Sequence, residues 1–159
     1  MIIREYKKDD LPQMISLWNE IVDEGNAFPQ EQRLTERAGE EFFSSQTYTA
    51  VADENGEIRG LYILHPNNVG RCGHICNASY AVGSRFRGRH IGERLVLDCI
   101  VQGRIHGFKI LQFNAVVESN IRARRLYERL GFIQLGVIPN GFRMKDGSFA
   151  SICPYYIEL

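Results

Sequence analysis

The sequence lacks any long apolar stretch. No run of its 159 residues approaches the roughly 20 consecutive apolar residues that a membrane-spanning helix requires. The first ten residues, MIIREYKKDD, carry charges without the apolar segment that follows such charges in a signal peptide. These two absences predict a cytoplasmic protein that has no membrane partner.

An excess of charge of one sign is also absent. Nineteen lysine and arginine residues balance nineteen aspartate and glutamate residues, so the net charge is zero when histidine is neutral. Two arginine-rich segments, residues 85–94 and 122–129, are the one feature that favours nucleic-acid binding. A neutral chain lacks the basic excess on which binding to nucleic-acid phosphates depends, so we expect no nucleic-acid partner.

Cysteine is sparse, and in a chain of cytoplasmic character the four cysteines, Cys72, Cys76, Cys99 and Cys153, are predicted to be reduced thiols and not a disulfide framework. One pattern suggests a zinc site: it consists of Cys72, His74 and Cys76, with His65 nearby. On a strand each residue rises about 3.3 Å, which puts the two thiols roughly 13 Å apart. Zinc–sulfur bonds are only about 2.3 Å long, so one ion cannot reach both and we expect no metal.

Hydrophobic periodicity predicts one α/β domain spanning residues 1–159, and no repeat or low-complexity tract divides it. Seven strands are expected, at 2–6, 47–53, 58–65, 73–82, 109–117, 132–138 and 150–158. Four helices are expected: one with an apolar stripe from Leu11 to Val22, one ending near Phe43, and two at about 90–105 and 120–130. This order predicts a mixed sheet of about seven strands with helices on both faces.

A glycine- and arginine-rich turn, Arg87-Gly88-Arg89-His90-Ile91-Gly92, precedes the third predicted helix. The N–H groups of a first helical turn have no intrahelical partner and carry a partial positive charge. Glycine lets a ligand approach such a backbone closely, and arginine suits a pyrophosphate. The turn is neither a P-loop nor a dinucleotide fingerprint. It indicates a phosphate site, although an ordinary polar strand-to-helix connection would have the same pattern.

The fourth predicted helix carries the pattern NIRARRLYERLGF, residues 120–132. Ser119 or Asn120 is placed to cap its start, and Gly131 is placed to end it in the left-handed conformation that suits glycine. One apolar stripe joins Ala123, Leu126, Tyr127 and Leu130. By its local pattern alone, the tyrosine in this stripe is as readily a packing residue as a functional one.

The two motifs together resemble the GCN5-related N-acetyltransferase (GNAT) superfamily: R-x-x-H-x-G before one helix, an apolar strand, then N-x-x-A-x-x-L-Y-E-x-L-G-F on the next helix. The resemblance implies the GNAT fold, acetyl-CoA as co-substrate, and direct transfer of its acetyl group to an amine. It also implies a V-shaped gap where the strand ending at Val82 parts from the strand ending at Val117. Homodimers are common in this family, so a homodimer is expected.

The resemblance also assigns roles to individual residues. Main-chain groups of Tyr80, Ala81 and Val82 would bond the pantetheine arm, and the Val82 N–H would stabilise the oxyanion. The pyrophosphate would lie on the turn made of Arg87, Gly88, Arg89, His90, Ile91, Gly92 and Glu93. Near the pantetheine end, the cofactor would contact Asn120 and Ala123, and Tyr127 would protonate the leaving thiolate. Because His90 stands where the family most often has glycine, its side chain must point away from the phosphates.

The acceptor side is marked by a shorter pattern. Residues 66–78 carry PN…RC-x-H-x-CNA, similar to the GNAT branch that includes fungal acetyltransferases of proline analogues such as azetidine-2-carboxylate. The likeness implies a small amino or imino acid as acceptor and Asn77 as a substrate-binding residue; an asparagine satisfied by neighbouring backbone is the alternative. The loop after the first helix supplies Glu24 and Phe28 as candidates for further acceptor contacts; a helix-breaking turn with Phe28 packed inward is the alternative. The alternatives for the general base are His74, Glu118, Glu24 and an ordered water.

Two other functions are compatible with the same fold: an acyl-CoA-binding regulatory module without catalysis, and an N-acetyltransferase of proteins or peptides. The presence of both Tyr127 and Asn120 argues against the first. Turnover of acetyl-CoA with any amine would separate an enzyme from a binding module.

Overall fold

The computed structural model describes residues 1–159 and contains one mixed sheet of eight strands and four helices. The strands are β1 (Ile2–Glu5), β2 (Tyr48–Glu54), β3 (Glu57–Pro66), β4 (Ile75–Val82), β5 (Ile110–Val117), β6 (Ile133–Gln134), β7 (Ile138–Arg143) and β8 (Phe149–Glu158). The helices are α1 (Leu11–Glu24), α2 (Glu36–Ser44), α3 (Ile91–Ile105) and α4 (Ile121–Arg129). None of these helices combines the length and the apolar character needed to cross a membrane. The predicted α/β class with a mixed sheet is confirmed.

The sheet has one strand more than the sequence predicts. Its order is β1-β2-β3-β4-β5-β8-β6, and β7 also pairs with β8. The segment predicted as one strand at 132–138 is divided, because β6 pairs with Tyr155 and Tyr156 while β7 pairs with earlier residues of β8. Strand β4 also begins later than predicted, because Gly70–Cys72 forms a short 3-10 turn before it.

Helices cover both faces of the central strands. In β3, Tyr62 and Leu64 pack in the core under α3, whereas Leu61 and Ile63 pack in the core under α1 and α2. A strand buried on both faces has a nearly continuous apolar sequence, as this one does. The predicted stripe of α1 is confirmed, since all its members are buried: Leu11, Met14, Ile15, Trp18, Ile21 and Val22.

Helix α1 ends where the loop that borders the site begins. Gly25 caps the helix in the left-handed conformation, with φ of 67°. A Cβ at this position would stand 2.9 Å from the Cβ of Lys145. Both the left-handed conformation and the lack of space for a side chain therefore favour glycine. The Lys145 ammonium donates to the Asp23 carbonyl at 2.8 Å. The hairpin between β7 and β8 therefore lies against the end of α1.

The parallel strands β4 and β5 are neighbours for only a short distance. They pair at Ile75–Ile110 and Cys76–Leu111 and then separate. The gap that the family resemblance implies is therefore present, and it opens between the later parts of the two strands. Beyond Cys76, the edge of β4 that faces β5 has no strand partner.

Candidate active site

The edge of β4 that faces the gap offers main-chain hydrogen-bonding groups. In an antiparallel strand the N–H and C=O of one residue point to the same side, and that side alternates along the chain. The N–H of Gly83 donates to the Arg59 carbonyl in β3 at 3.2 Å. By this alternation the groups of Tyr80 and Val82 face the gap, whereas those of Ala81 are turned toward β3.

The turn before α3 presents a row of unpaired donors. The N–H groups of Gly88, Arg89 and His90 have no acceptor within the chain, and neither do the first three N–H groups of α3. Gly88 has φ of 80°, and no atom lies within 4 Å of the place a Cβ would occupy. A helix N-terminus with free donors and open space above it is suited to bind phosphate.

His90 lies in this turn and has the left-handed backbone conformation, with φ of 59°. That backbone explains why glycine suits the position, since another residue there costs roughly 1–2 kcal/mol. The imidazole Nδ1 lies 3.0 Å from an oxygen of Glu93, and 78% of the side chain is exposed. Hydrogen bonds from His90 and Arg129 lower the pKa of the Glu93 carboxyl.

Two tyrosine hydroxyls in the wall of the gap have no hydrogen-bond partner. The hydroxyl of Tyr80 is buried and unpaired. Tyr127 lies on α4, whose start is capped by Asn120 through a 3.3 Å bond from the Ala123 N–H. Its ring centroid lies 4.5 Å from that of Phe113. Burial raises the pKa of Tyr127 above the ordinary phenol value, and no hydrogen bond contributes to that shift.

A cavity of about 840 Å³ joins these parts. That volume is typical of small-molecule sites, which occupy roughly 300–1,000 Å³. All the residues predicted for the site line this cavity except Ala81, which is fully buried, and Arg89, which is exposed. The structure therefore brings together nearly the whole predicted set, from the turn before α3 to Tyr127.

Helix α1 and the loop after it form the opposite wall. Phe28 lines the cavity and is also buried against Trp18, with 4.3 Å between ring centroids. The Nη2 atom of Arg87 donates to both carboxylate oxygens of Glu24, at 2.7 and 2.9 Å. Glu24 is the one side-chain candidate for the general base that lines the cavity, because His74 and Glu118 are exposed residues outside the lining.

A cluster of neutral carboxamides adds a feature that sequence reasoning found only in part. Asn114 Nδ2 donates to Asn67 Oδ1 at 2.6 Å, and Asn67 Nδ2 donates to Asn114 Oδ1 at 3.2 Å. Asn77 Nδ2 lies 3.4 Å from Asn67 Oδ1, and Gln112 Nε2 donates to Asn114 Oδ1 at 3.0 Å. Both Asn77 and Asn114 line the cavity. An asparagine within the apolar strand KILQFNAVV is the signal that could have identified Asn114.

The cysteine and histidine pattern at residues 72–76 does not converge on one point. Cys72 is exposed at the end of its 3-10 turn, whereas Cys76 is fully buried in β4. The Cys76 thiol donates to the Ile110 carbonyl at 3.2 Å. Burial raises the pKa of this thiol to about 12, so it is a packing residue in the protonated form.

Comparison with known proteins agrees with this geometry. Residues 13–132 match the Acetyltransferase (GNAT) family. The N-acetyltransferase aca1 of Schizosaccharomyces pombe is 30% identical over 156 residues, covering 87% of this chain and 75% of the relative. A GCN5-related N-acetyltransferase from Kribbella flavida has a TM-score of 0.91 at 29% identity, over 99% of this chain and 97% of that one. A phosphinothricin acetyltransferase from Sinorhizobium meliloti, in complex with acetyl-CoA, has a TM-score of 0.91 at 21% identity, over 99% and 88%.

The chain therefore belongs to the GNAT family of acetyltransferases. It is an acetyl-CoA-dependent N-acetyltransferase, as the resemblance of its two motifs implied. The fungal relative also agrees with the fungal branch suggested by residues 66–78.

Proposed function

We propose that this acetyltransferase acts on the amine of a small amino or imino acid, which attacks acetyl-CoA directly in a ternary complex. The observation that carries the proposal is the carboxamide cluster, because its members Asn77 and Asn114 line the same cavity as Tyr127. The fungal relative and the pattern at residues 66–78 support the same acceptor class.

Neutral carboxamides suit an acceptor that has both an amine and a carboxylate. Each side-chain amide nitrogen carries two hydrogens. The amide nitrogens of Asn77 and Asn114 each donate one hydrogen bond within the cluster. Each nitrogen therefore retains a second hydrogen for a ligand carboxylate. An amine attacks only when it is neutral, and a neighbouring carboxylate would favour the protonated ammonium. A neutral cluster fixes the acceptor without that effect.

The residues on the cofactor side fit acetyl-CoA. The free N–H groups of residues 88–93 suit its pyrophosphate, and the edge at Tyr80 and Val82, which has no strand partner, suits the amides of its pantetheine arm. Acetyl-CoA supplies the acetyl group as a thioester. The N–H of Val82 is the main-chain donor we assign to the oxyanion that develops during transfer.

Two protons move in the transfer as the C–N bond forms and the C–S bond breaks. The amine loses one proton, and we assign a water-mediated route to it because the Glu24 carboxylate is engaged with Arg87. The leaving thiolate gains the other proton from Tyr127, whose hydroxyl has no hydrogen-bond partner in the protein and is protonated at neutral pH.

The acceptor class is tested by pairing each amino or imino acid with the amine that lacks its carboxylate, such as proline with pyrrolidine. Release of CoA thiol from acetyl-CoA is measured for each pair. We expect kcat/KM to be about 30-fold or more higher for the acid, a difference of roughly 2 kcal/mol, because hydrogen bonds to a charged carboxylate contribute roughly 1.5–3 kcal/mol and the simple amine makes none of them. Asn77→Ala is expected to remove most of this preference.

Asn68→Ala is the matched control, because Asn68 is exposed and its Oδ1 accepts only from the Val69 N–H. This variant should keep the wild-type preference for the acid. Equal turnover of both members of each pair would contradict recognition of a carboxylate. Tight binding of acetyl-CoA without turnover of any acceptor would favour a regulatory module instead.

We also propose that the chain forms a homodimer through the surface around β6, β7 and β8. That surface exposes between 49% and 61% of five large apolar side chains: Ile133, Leu135, Val137, Ile138 and Phe149. Large exposed apolar patches on a soluble protein are typical of interfaces between proteins.

Sedimentation velocity tests the homodimer. The wild type should have the mass of a dimer, and the double variant Val137→Asp, Phe149→Asp should have that of a monomer, because burial of a carboxylate at an interface is costly. Ile105→Asp is the control, since this residue is 68% exposed on α3 and lies outside the proposed surface. A monomeric wild type at micromolar concentration would contradict the proposal.

A further inference from the structure

One ion pair joins the cofactor side of the cavity to its acceptor side. Arg87 follows β4 in the turn that leads to α3, and Glu24 is the last residue of α1. Besides its two bonds to Glu24, Arg87 donates through Nε to the Val82 carbonyl at 3.3 Å. One guanidinium therefore contacts the end of the gap strand and the residue that immediately precedes the acceptor loop, which comprises residues 25–35.

The same two segments meet at a second point. The N–H of Ser84 donates to a carboxylate oxygen of Glu20 at 2.7 Å. Glu20 and Glu24 are one helical turn apart, so two carboxylates of α1 hold the segment from Ser84 to Arg87. Arg87 and Arg89 are both exposed, but only Arg87 makes an ion pair within the chain. The two arginines of the turn thus occupy different surroundings.

The acceptor loop depends on its neighbours for its position, because residues 25–35 contain neither helix nor strand. Trp18 contacts the loop at two places. Its ring packs on Phe28, and its Nε1 donates to Gln30 Oε1 at 2.9 Å. It is the single tryptophan of the chain and is 3% exposed, so its fluorescence reports the position of this loop.

We propose that the Arg87 side chain is a positioning residue for the acceptor, which acts by holding the acceptor loop through Glu24, while Arg89 supplies the charge for the cofactor phosphates. The Nε and Nη2 atoms of Arg87 are engaged with Val82 and Glu24, whereas Arg89 makes no hydrogen bond within the chain. The Arg87–Glu24 contact is a charge-assisted hydrogen bond between side chains that are 36% and 28% exposed. The statement about the acceptor rests on the proposed function; the statement about the loop does not.

Kinetic and binding measurements on three variants distinguish the role of Arg87 from that of Arg89. In Arg87→Gln and in Glu24→Gln we expect the acceptor KM to rise about tenfold, because small displacements of positioning groups have large effects. The dissociation constant of acetyl-CoA, measured by calorimetry, should stay within about threefold of the wild type. Arg89→Gln should do the reverse, weakening acetyl-CoA binding about fivefold with the acceptor KM unchanged.

Trp18 fluorescence provides a readout that needs no acceptor. Arg87→Gln and Glu24→Gln should shift its emission to longer wavelength and increase its quenching by acrylamide, whereas Arg89→Gln should not. The charge-reversed pair Arg87→Glu with Glu24→Arg should restore both the fluorescence and much of the acceptor KM. If Arg87→Gln weakens acetyl-CoA binding as much as Arg89→Gln and leaves Trp18 unchanged, the proposal is wrong. If no acceptor is turned over while Trp18 responds as described, the proposed acceptor class is wrong. The proposal that Arg87 holds the acceptor loop through Glu24 is then still supported.

Discussion

Replacement of Tyr127 by phenylalanine is expected to lower kcat by about 100- to 1,000-fold while the dissociation constant of acetyl-CoA changes less than about twofold. A positioned general acid contributes roughly 10²- to 10⁴-fold to a rate. The ring of Tyr127 packs on Phe113 and Phe132, and phenylalanine keeps that packing. The variant therefore removes the proton donor and little else.

The surroundings of the Tyr127 hydroxyl predict that this substitution has little effect on the stability of the fold. Because the Tyr127 hydroxyl has no partner in the protein, its loss should change the free energy of unfolding by less than about 1 kcal/mol. Burial raises the pKa of this phenol, so the hydroxyl remains protonated as the pH passes the ordinary tyrosine value of about 10. The wild-type kcat should accordingly show no decrease from this group between about pH 8 and 10.

Tyr155→Phe is the matched control. Its ring lies 5.9 Å from that of Tyr127, but its hydroxyl donates to Glu128 at 3.0 Å and accepts from Arg124 at 3.2 Å. This variant should lose about 1–3 kcal/mol of stability and keep kcat within about threefold. If Tyr127→Phe retains wild-type kcat, the leaving thiolate takes its proton from another group, and the proposed role of Tyr127 is wrong.

Local signals in the sequence were enough to predict most of the elements. The stripe of α1 and the cap of α4 at Asn120 depend only on residues within one or two helical turns. The turn before α3 could be predicted in the same way, because its unpaired main-chain N–H groups are consecutive in the sequence. The local sequence does not predict the division of 132–138 into β6 and β7, because that division depends on how each part pairs with β8.

The acceptor side could be predicted only in part, because its contacts join distant parts of the chain. Asn67 and Asn114 are 47 residues apart and meet through the pairing of β3, β4 and β5. Arg87 and Glu24 are 63 residues apart, and nothing local to either one indicates the other. Their ion pair changes the interpretation of Arg87, whose charge alone suggests a phosphate ligand.

Gly92→Ala is expected to weaken acetyl-CoA binding by about 10- to 100-fold, or roughly 1.4–2.8 kcal/mol, while making the fold slightly more stable. Gly92 lies in the first turn of α3 and lines the cavity. An added Cβ would meet Val82 at 3.9 Å and Leu126 at 4.0 Å, which are ordinary contacts. Alanine is favoured over glycine in a helix by about 0.5–1 kcal/mol, so nothing in the fold itself calls for glycine.

We expect that glycine at this position lets a ligand approach the free N–H groups of the turn closely. Gly39→Ala in α2 is the matched control, because there a Cβ would stand 2.5 Å from Ile15 Cγ1. That variant should lose about 1–3 kcal/mol of stability through overpacking and bind acetyl-CoA normally. Thermal unfolding should therefore show stability changes of opposite sign in the two variants, and calorimetry should show weakened binding only in Gly92→Ala. Normal binding of acetyl-CoA by Gly92→Ala would mean that the phosphates lie further from α3 than the free donors of residues 88–93 imply.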